Sequence, residues 1–271
     1  MIRVERDKVA FYQFLELRHF PGLIHFVSGR EGGVSVGGQA ALNLGFMDED
    51  RDERVLTNRM LLAEAVGCGV DDFILGEQKH TTHVEVVTRA QRGRGGREKA
   101  TRLPSTDALI TRETGVCLMV LAADCVPVLM YDSRMRVIAA VHAGWKGTVK
   151  HIVSNVMDHL NKMFGTQGED VIACIGPSIS LESFEVGDEV YDAFKESGFD
   201  MSLISMKKKE TGKYHIDLWE ANRIELLNLG VPAEQIEVAG ICTYIHHDEF
   251  FSARRLGIDS GRILSGIMIR K

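Results

Sequence analysis

Several features are missing from this 271-residue sequence, and each absence removes a class of function. No apolar run approaches the roughly 18 residues that a membrane helix needs. The opening stretch MIRVERDKVAFYQF lacks the form of a signal peptide. There is no sustained basic stripe, and the net charge is −6, so nucleic acid is not expected as a main partner. Cysteine is scarce: Cys68, Cys117, Cys125, Cys174 and Cys242 are odd in number, scattered, and several lie inside apolar runs. That argues for reduced thiols in a cytoplasm rather than a disulfide framework. No repeat, linker or low-complexity boundary divides the chain, so residues 1–271 read as one domain. The 45% hydrophobic content is enough to bury a substantial core.

What is present is a succession of short strands and a few helices. Leu23–Ser28 reads as a strand running into GREGGVSVGG, a loop too glycine-rich for regular structure and closed by ALNLG. Asp52–Val66 carries a helical apolar pattern stopped by Gly67. Phe73–Leu75 and Val84–Thr88 read as strands flanking GEQKHTTH, and Gln91–Arg102 as a basic, solvated surface loop, with a phosphate-facing lid as the alternative. Asp107–Thr111 and Cys117–Leu121 are further strands. Thr148 is placed to cap a helix with apolar residues at Val149, Ile152, Val153, Val156, Met157, Leu160 and Phe164. Asp188–Ser197 and Asp217–Leu229 read as helices, Val171–Ile175, Ile236–Cys242 and Ile263–Ile269 as strands, and Lys207-Lys208-Lys209 as an exposed turn. Nine or ten strands and about four helices, with strands often adjacent in sequence, favour an α+β fold: mixed β-sheets covered by helices.

The chain is organised around LAADCVPVLMYDSRMRVIAAVHAGWKGT, Leu121 to Thr148. Two β-branched runs, Val126–Tyr131 and Val137–Val141, flank the turn-like Asp132-Ser133-Arg134. Folding the hairpin with Asp132 near Met135 sets Cys125 opposite His142, and directly opposed residues share a face about 5 Å apart. A thiol and an imidazole then meet beside Asp124. They allow either a nucleophile with its base or two ligands of a metal. His80, in GEQKH, is the further ligand candidate, with His83 three residues on. Three protein ligands, as a CysHis2 set, suit Zn²⁺ or copper and leave a fourth position for water or substrate.

The step HAGWKGT offers free amides at a helix start, with Lys146 adding a positive charge for an anion, although the glycines also suit a plain tight turn. Arg254 and Arg255 suit forked binding of phosphate or carboxylate, or a surface role. Ser28, Arg30 and Asn43 flank the first glycine loop and are candidates to line the same cleft. His246-His247-Asp248 is read as ordinary surface, because adjacent residues point apart.

The segments SGREGGVS with LNLG, GEQKH, DALIT, LAADCVPVLMYD, VIAAVHAGWKGT, IGPSIS with FEVGDEV, and ICTY with FFSARR resemble the laccase-domain proteins, from about Gly22 to Ile269. These proteins are also called multicopper polyphenol oxidoreductases and are now described as purine nucleoside phosphorylases. The resemblance implies a cysteine-hydrolase-like architecture and a mononuclear zinc site of His80, Cys125 and His142. It also implies phosphorolysis of adenosine, inosine and methylthioadenosine to a free base and a ribose 1-phosphate species, with adenosine deamination as a second activity. Older claims for the family are copper-dependent phenol oxidation, but one His2Cys set supplies only one metal position, which weakens a multicopper reading. Two departures stand out: Lys146 stands where the family usually has arginine, and Ser178 where it has cysteine. For deamination, Asp124 is the carboxylate that sequence places nearest Cys125, although neighbours on a strand face opposite ways. Partners are therefore expected to be purine nucleosides and phosphate, and the oligomeric state is left open.

Overall fold

A computed structural model describes residues 1–271 and shows an α+β architecture built on two six-stranded mixed sheets and one small three-stranded sheet. The first sheet runs Ile2–Arg6, Val9–Gln13, Leu23–Ser28, Ile263–Ile269, Cys117–Ala122, Phe73–Leu75 in spatial order. The second runs Ile236–Val238, Val171–Ile175, Val126–Asp132, Val137–Ala143, Ala108–Thr111, Val84–Val86. The fifteen strands exceed the number read from sequence because the N-terminal hairpin and the pairs around Ser205–Lys207 and Tyr214–Ile216 are short or polar.

The two large sheets pack face to face. Leu118, Val120, Ile263 and Ile267 of the first meet Leu129, Tyr131, Ile138 and Ala140 of the second in one cluster. On the far side of the second sheet, Val126, Val128, Met130, Ala139 and Val141 pack against the helix Ile152–Phe164. The helix Asp52–Val66 covers the far side of the first sheet through Leu62, Ala63 and Val66. Alternate residues of the central hairpin thus serve two cores. That is why both of its runs are apolar throughout instead of alternating with polar residues.

Three readings need correction. The central hairpin pairs Pro127 with His142 and Asp132 with Val137, two residues away from the expected register. Its turn is wider because Asp132 Oδ1 accepts from the backbone amides of both Arg134 and Met135. A two-residue offset keeps every side chain on its face, whereas an offset of one would have reversed them. Thr148 does not begin the long helix: a short helix, Trp145–Val149, comes first, and His151 breaks the two at φ 58° before Ile152–Phe164. The segment Gln91–Arg102 is not simply solvated. Gly95 and Gly96 are buried, and their carbonyls accept hydrogen bonds from the buried Arg59. No helix is long and apolar enough to cross a membrane.

Candidate metal centre and active site

His142 is the second-last residue of the strand Val137–Ala143 and faces the space between the two large sheets, on the same side as Ile138 and Ala140. Cys125 stands immediately before the opposing strand, after Asp124 has left the extended conformation at φ 89°. His80 arrives from the loop after Phe73–Leu75, also with positive φ (57°). That loop is held at its start. Gly76 passes so close to Thr106 that a Cβ would lie 2.2 Å from its carbonyl oxygen. Gln78 bonds both the amide (2.8 Å) and the carbonyl (2.7 Å) of Leu121.

The structure therefore brings His80, Cys125 and His142 together, with one ligand atom of each within 4.8 Å of the others. Cys125 Sγ lies 3.7 Å from His80 Nε2, and the imidazole centroids are 4.9 Å apart. The edge of a tetrahedral zinc site between sulfur and nitrogen is about 3.6 Å from ordinary bond lengths. The donor set and this spacing both fit a single tetrahedral metal with one open position. Gly144 makes room for it: a Cβ there would sit 2.7 Å from His80 Cδ2 and 3.1 Å from Cys125 Sγ.

Asp107 fastens the trio from behind. Its Oδ1 accepts from His142 Nδ1 at 2.9 Å and from the His80 amide at 3.0 Å, while Oδ2 accepts from the amides of Lys79 and Thr81 and from the Thr81 hydroxyl. One carboxylate thus fixes the tautomer of His142, freeing Nε2, and the backbone that carries His80. Burial works to raise the Asp107 carboxyl, yet the bonds from His142 and Thr81 hold it down at about 2. Burial likewise opposes charge on the other pair. The charge of His142 and the bonds from both imidazoles nevertheless hold Cys125 at about 6, and the Cys125 thiolate with Asp107 raises His142 to about 9. Without a metal, the site favours a thiolate beside an imidazolium. Sequence reasoning placed Asp107 in a strand and gave it no role, because nothing local ties it to His142 thirty-five residues on.

A cavity of about 320 Å³ opens beside the trio. Its walls include Phe46, Glu77, Gln78, Ala123 and four cations: Lys79, Lys99, Arg102 and Arg262. The basic residues expected at this cleft lie elsewhere. Lys146 is exposed and rests over Trp145 at 5.5 Å, on a helix of only five residues whose summed dipole is small. Arg30 is spent on backbone, bonding the carbonyls of Ala40 and His247 and stacking on Phe251. Buried Asn43 bonds Gly45 and Asp50 and accepts from the Arg262 amide, so it positions a cavity residue without lining the cavity. Arg254 reaches the Glu185 carbonyl and Arg255 the Tyr244 hydroxyl.

Asp124 accepts from the Thr243 hydroxyl and the Arg254 amide, one on each oxygen, and so ties three loops together outside the cavity lining. His83 pairs with Glu85. The reading of residues 246–248 is corrected in part: His246 and Asp248 do converge, with Glu249, on the exposed surface, while His247 turns back to the Ile245 carbonyl.

Residues 24–270 match the family model described as multi-copper polyphenol oxidoreductase laccase. The chain belongs to this family. It is 52% identical over all 271 residues to a protein of Bacteroides thetaiotaomicron named purine nucleoside phosphorylase, each chain covered completely. A protein named adenosine deaminase RL5, from an unknown prokaryotic organism, is 42% identical over 79% of this chain and 81% of its own. The crystal structure of YlmD from Geobacillus stearothermophilus superimposes with a TM-score of 0.92 at 32% identity, covering 99% of this chain and 98% of that one. The α+β architecture and the arrangement of sheets are thus those of the family.

Proposed function

We propose that this protein is a zinc-dependent purine nucleoside phosphorylase, with adenosine deamination as a second activity of the same cavity. The observation that carries this reading is the convergence of His80, Cys125 and His142, backed by Asp107, on a cavity walled by four cations. The names of relatives that match the chain over most or all of its length point the same way. In phosphorolysis a phosphate oxygen bonds to ribose C1′, the C1′–N9 bond breaks, and the purine nitrogen keeps the electron pair and takes a proton. In deamination a water oxygen adds to the purine carbon and ammonia leaves.

When bound by His80, Cys125 and His142, zinc supplies Lewis-acid charge at the cavity floor. The chain's own residues do the rest. Asp107 keeps His142 in the tautomer that presents Nε2, and Gly144 leaves the space in which the two imidazoles and the thiol meet. The cationic wall attracts the phosphate and offsets its charge against the ribose. Copper has the right ligands in the same trio, but one such set is too few for multicopper oxidation. Roles for Asp124, Lys146, Arg30, Asn43, Arg254 and Arg255 in binding or proton transfer are not part of this reading, since their polar atoms are engaged elsewhere or lie outside the cavity lining.

The test is production of ribose 1-phosphate from inosine and phosphate by the purified protein and by Cys125→Ala. Undiminished production by the variant overturns the assignment of the site. A second reading has an observation of its own: Cys125, His142 and Asp107 stand in the order of nucleophile, base and orienting carboxylate, with the thiol held at about 6. Such a cysteine hydrolase keeps its activity when chelators remove metal, and the phosphorylase loses it.

A further inference from the structure

Four cations line the cavity, and three of them are already matched. Lys79 Nζ lies 2.8 Å from Glu77, Lys99 Nζ lies 3.5 Å from Asp48, and Arg262 bonds the carbonyls of Ile258, Ser260 and Gly261. Arg102 is the exception. Its Nε and Nη2 are closed off from solvent and have no hydrogen-bond partner. Burial lowers its pKa, the more distant Glu77 and Asp52 oppose that, and Arg59 stands near enough to the Phe46 ring for the two guanidinium carbons to lie 4.4 and 6.0 Å from its centroid. A buried N–H without a partner is unfavourable, because its lost hydration is not replaced. Arg102 as a whole is only half-buried and lines the cavity, and no protein acceptor holds its guanidinium, so the group is free to turn toward an anion in the cavity.

We propose that Arg102 is the anion anchor of this cavity, its guanidinium receiving the oxygens of inorganic phosphate. This deepens the phosphorolysis reading and rests on it. The fork of the guanidinium also makes arginine and lysine unequal here, since a lysine supplies charge without two parallel N–H donors.

The experiment uses the full chain, metal-loaded, as wild type, Arg102→Gln and Arg102→Lys. Inosine phosphorolysis gives KM for phosphate, adenosine deamination gives a reaction that needs no phosphate, and melting with and without inorganic phosphate reads binding directly. Arg102→Gln is expected to raise KM for phosphate by about tenfold to a hundredfold and to lower the ratio of phosphorolysis to deamination at least about tenfold. Arg102→Lys recovers part of that loss. Phosphate raises the melting temperature of wild type and not of Arg102→Gln, and without phosphate the variant melts no lower than wild type. An unchanged KM for phosphate, an equal fall in both activities, or a lower melting temperature of the phosphate-free variant overturns the proposal. If wild type turns over neither nucleoside, the functional reading fails on its own. The phosphate-dependent melting shift, present in wild type and absent in Arg102→Gln, or absent in both, still decides for or against the anchor.

Discussion

Two arginines approach the ring of Phe46, and the fold treats them in opposite ways. Arg59 is fully buried, lowered by burial to about 9 and so still charged at neutral pH, and it bonds the carbonyls of Leu44, Gly95 and Gly96. Arg102 bonds nothing with the two nitrogens it buries. The first pins the helix Asp52–Val66 to the Gln91–Arg102 segment. The second sits at the cavity that segment helps to wall. The difference separates cations that hold the structure from a cation that the structure holds in readiness. A surface count of basic residues gives no such distinction.

Breaking the structural side of that comparison has the largest expected effect. Arg59→Met strands three buried carbonyls and is expected to remove about 3 kcal/mol of stability, read as a lower denaturant midpoint with the slope unchanged. A loss within about 0.5 kcal/mol contradicts the role given to it. On the functional side, Asp107→Asn is expected to weaken metal binding about tenfold to a hundredfold, since the amide no longer fixes the His142 tautomer. Competition with a chromophoric chelator measures it.

Smaller again is Gly144→Ala. Its Cβ meets His80 and Cys125 at 2.7 and 3.1 Å, so turnover should drop about tenfold while stability changes little. Activity equal to wild type shows that the trio has slack the geometry does not suggest. The mildest probe is pH. In metal-stripped protein the depressed Cys125 is a thiolate above about 6, so alkylation by iodoacetamide should be half-maximal near pH 6 and slow below it. Loading with zinc should suppress the reaction, and a midpoint near the ordinary thiol value of 9.0 contradicts the ion-pair account.

The central hairpin, the helix stripes and the trio were legible because each leaves a periodic or motif signal in the sequence. The register was two residues off because Asp132 accepts from the amides of both Arg134 and Met135 and so widens the turn, which no pattern of apolar residues announces. His151, breaking a continuous apolar stripe, is a failure of the same kind. The cavity wall was harder still. Arg102 and Arg262 come from loops, and their neighbours are chosen by contacts far away in sequence, such as Asn43 with the Arg262 amide. Arg30 looked like a cleft residue beside its glycine loop, yet the same loop bends its Ala40 carbonyl onto the guanidinium. Charge was visible in the sequence, and whether that charge was already satisfied was not.

The most direct test of the account is a titration of metal-stripped protein with zinc while ribose 1-phosphate release from inosine and phosphate is followed. Activity should be absent at the start, rise linearly and level off at one equivalent of zinc, with no rise in Cys125→Ala. Full activity in the metal-stripped protein, or an equal rise in the variant, contradicts a single catalytic metal at His80, Cys125 and His142.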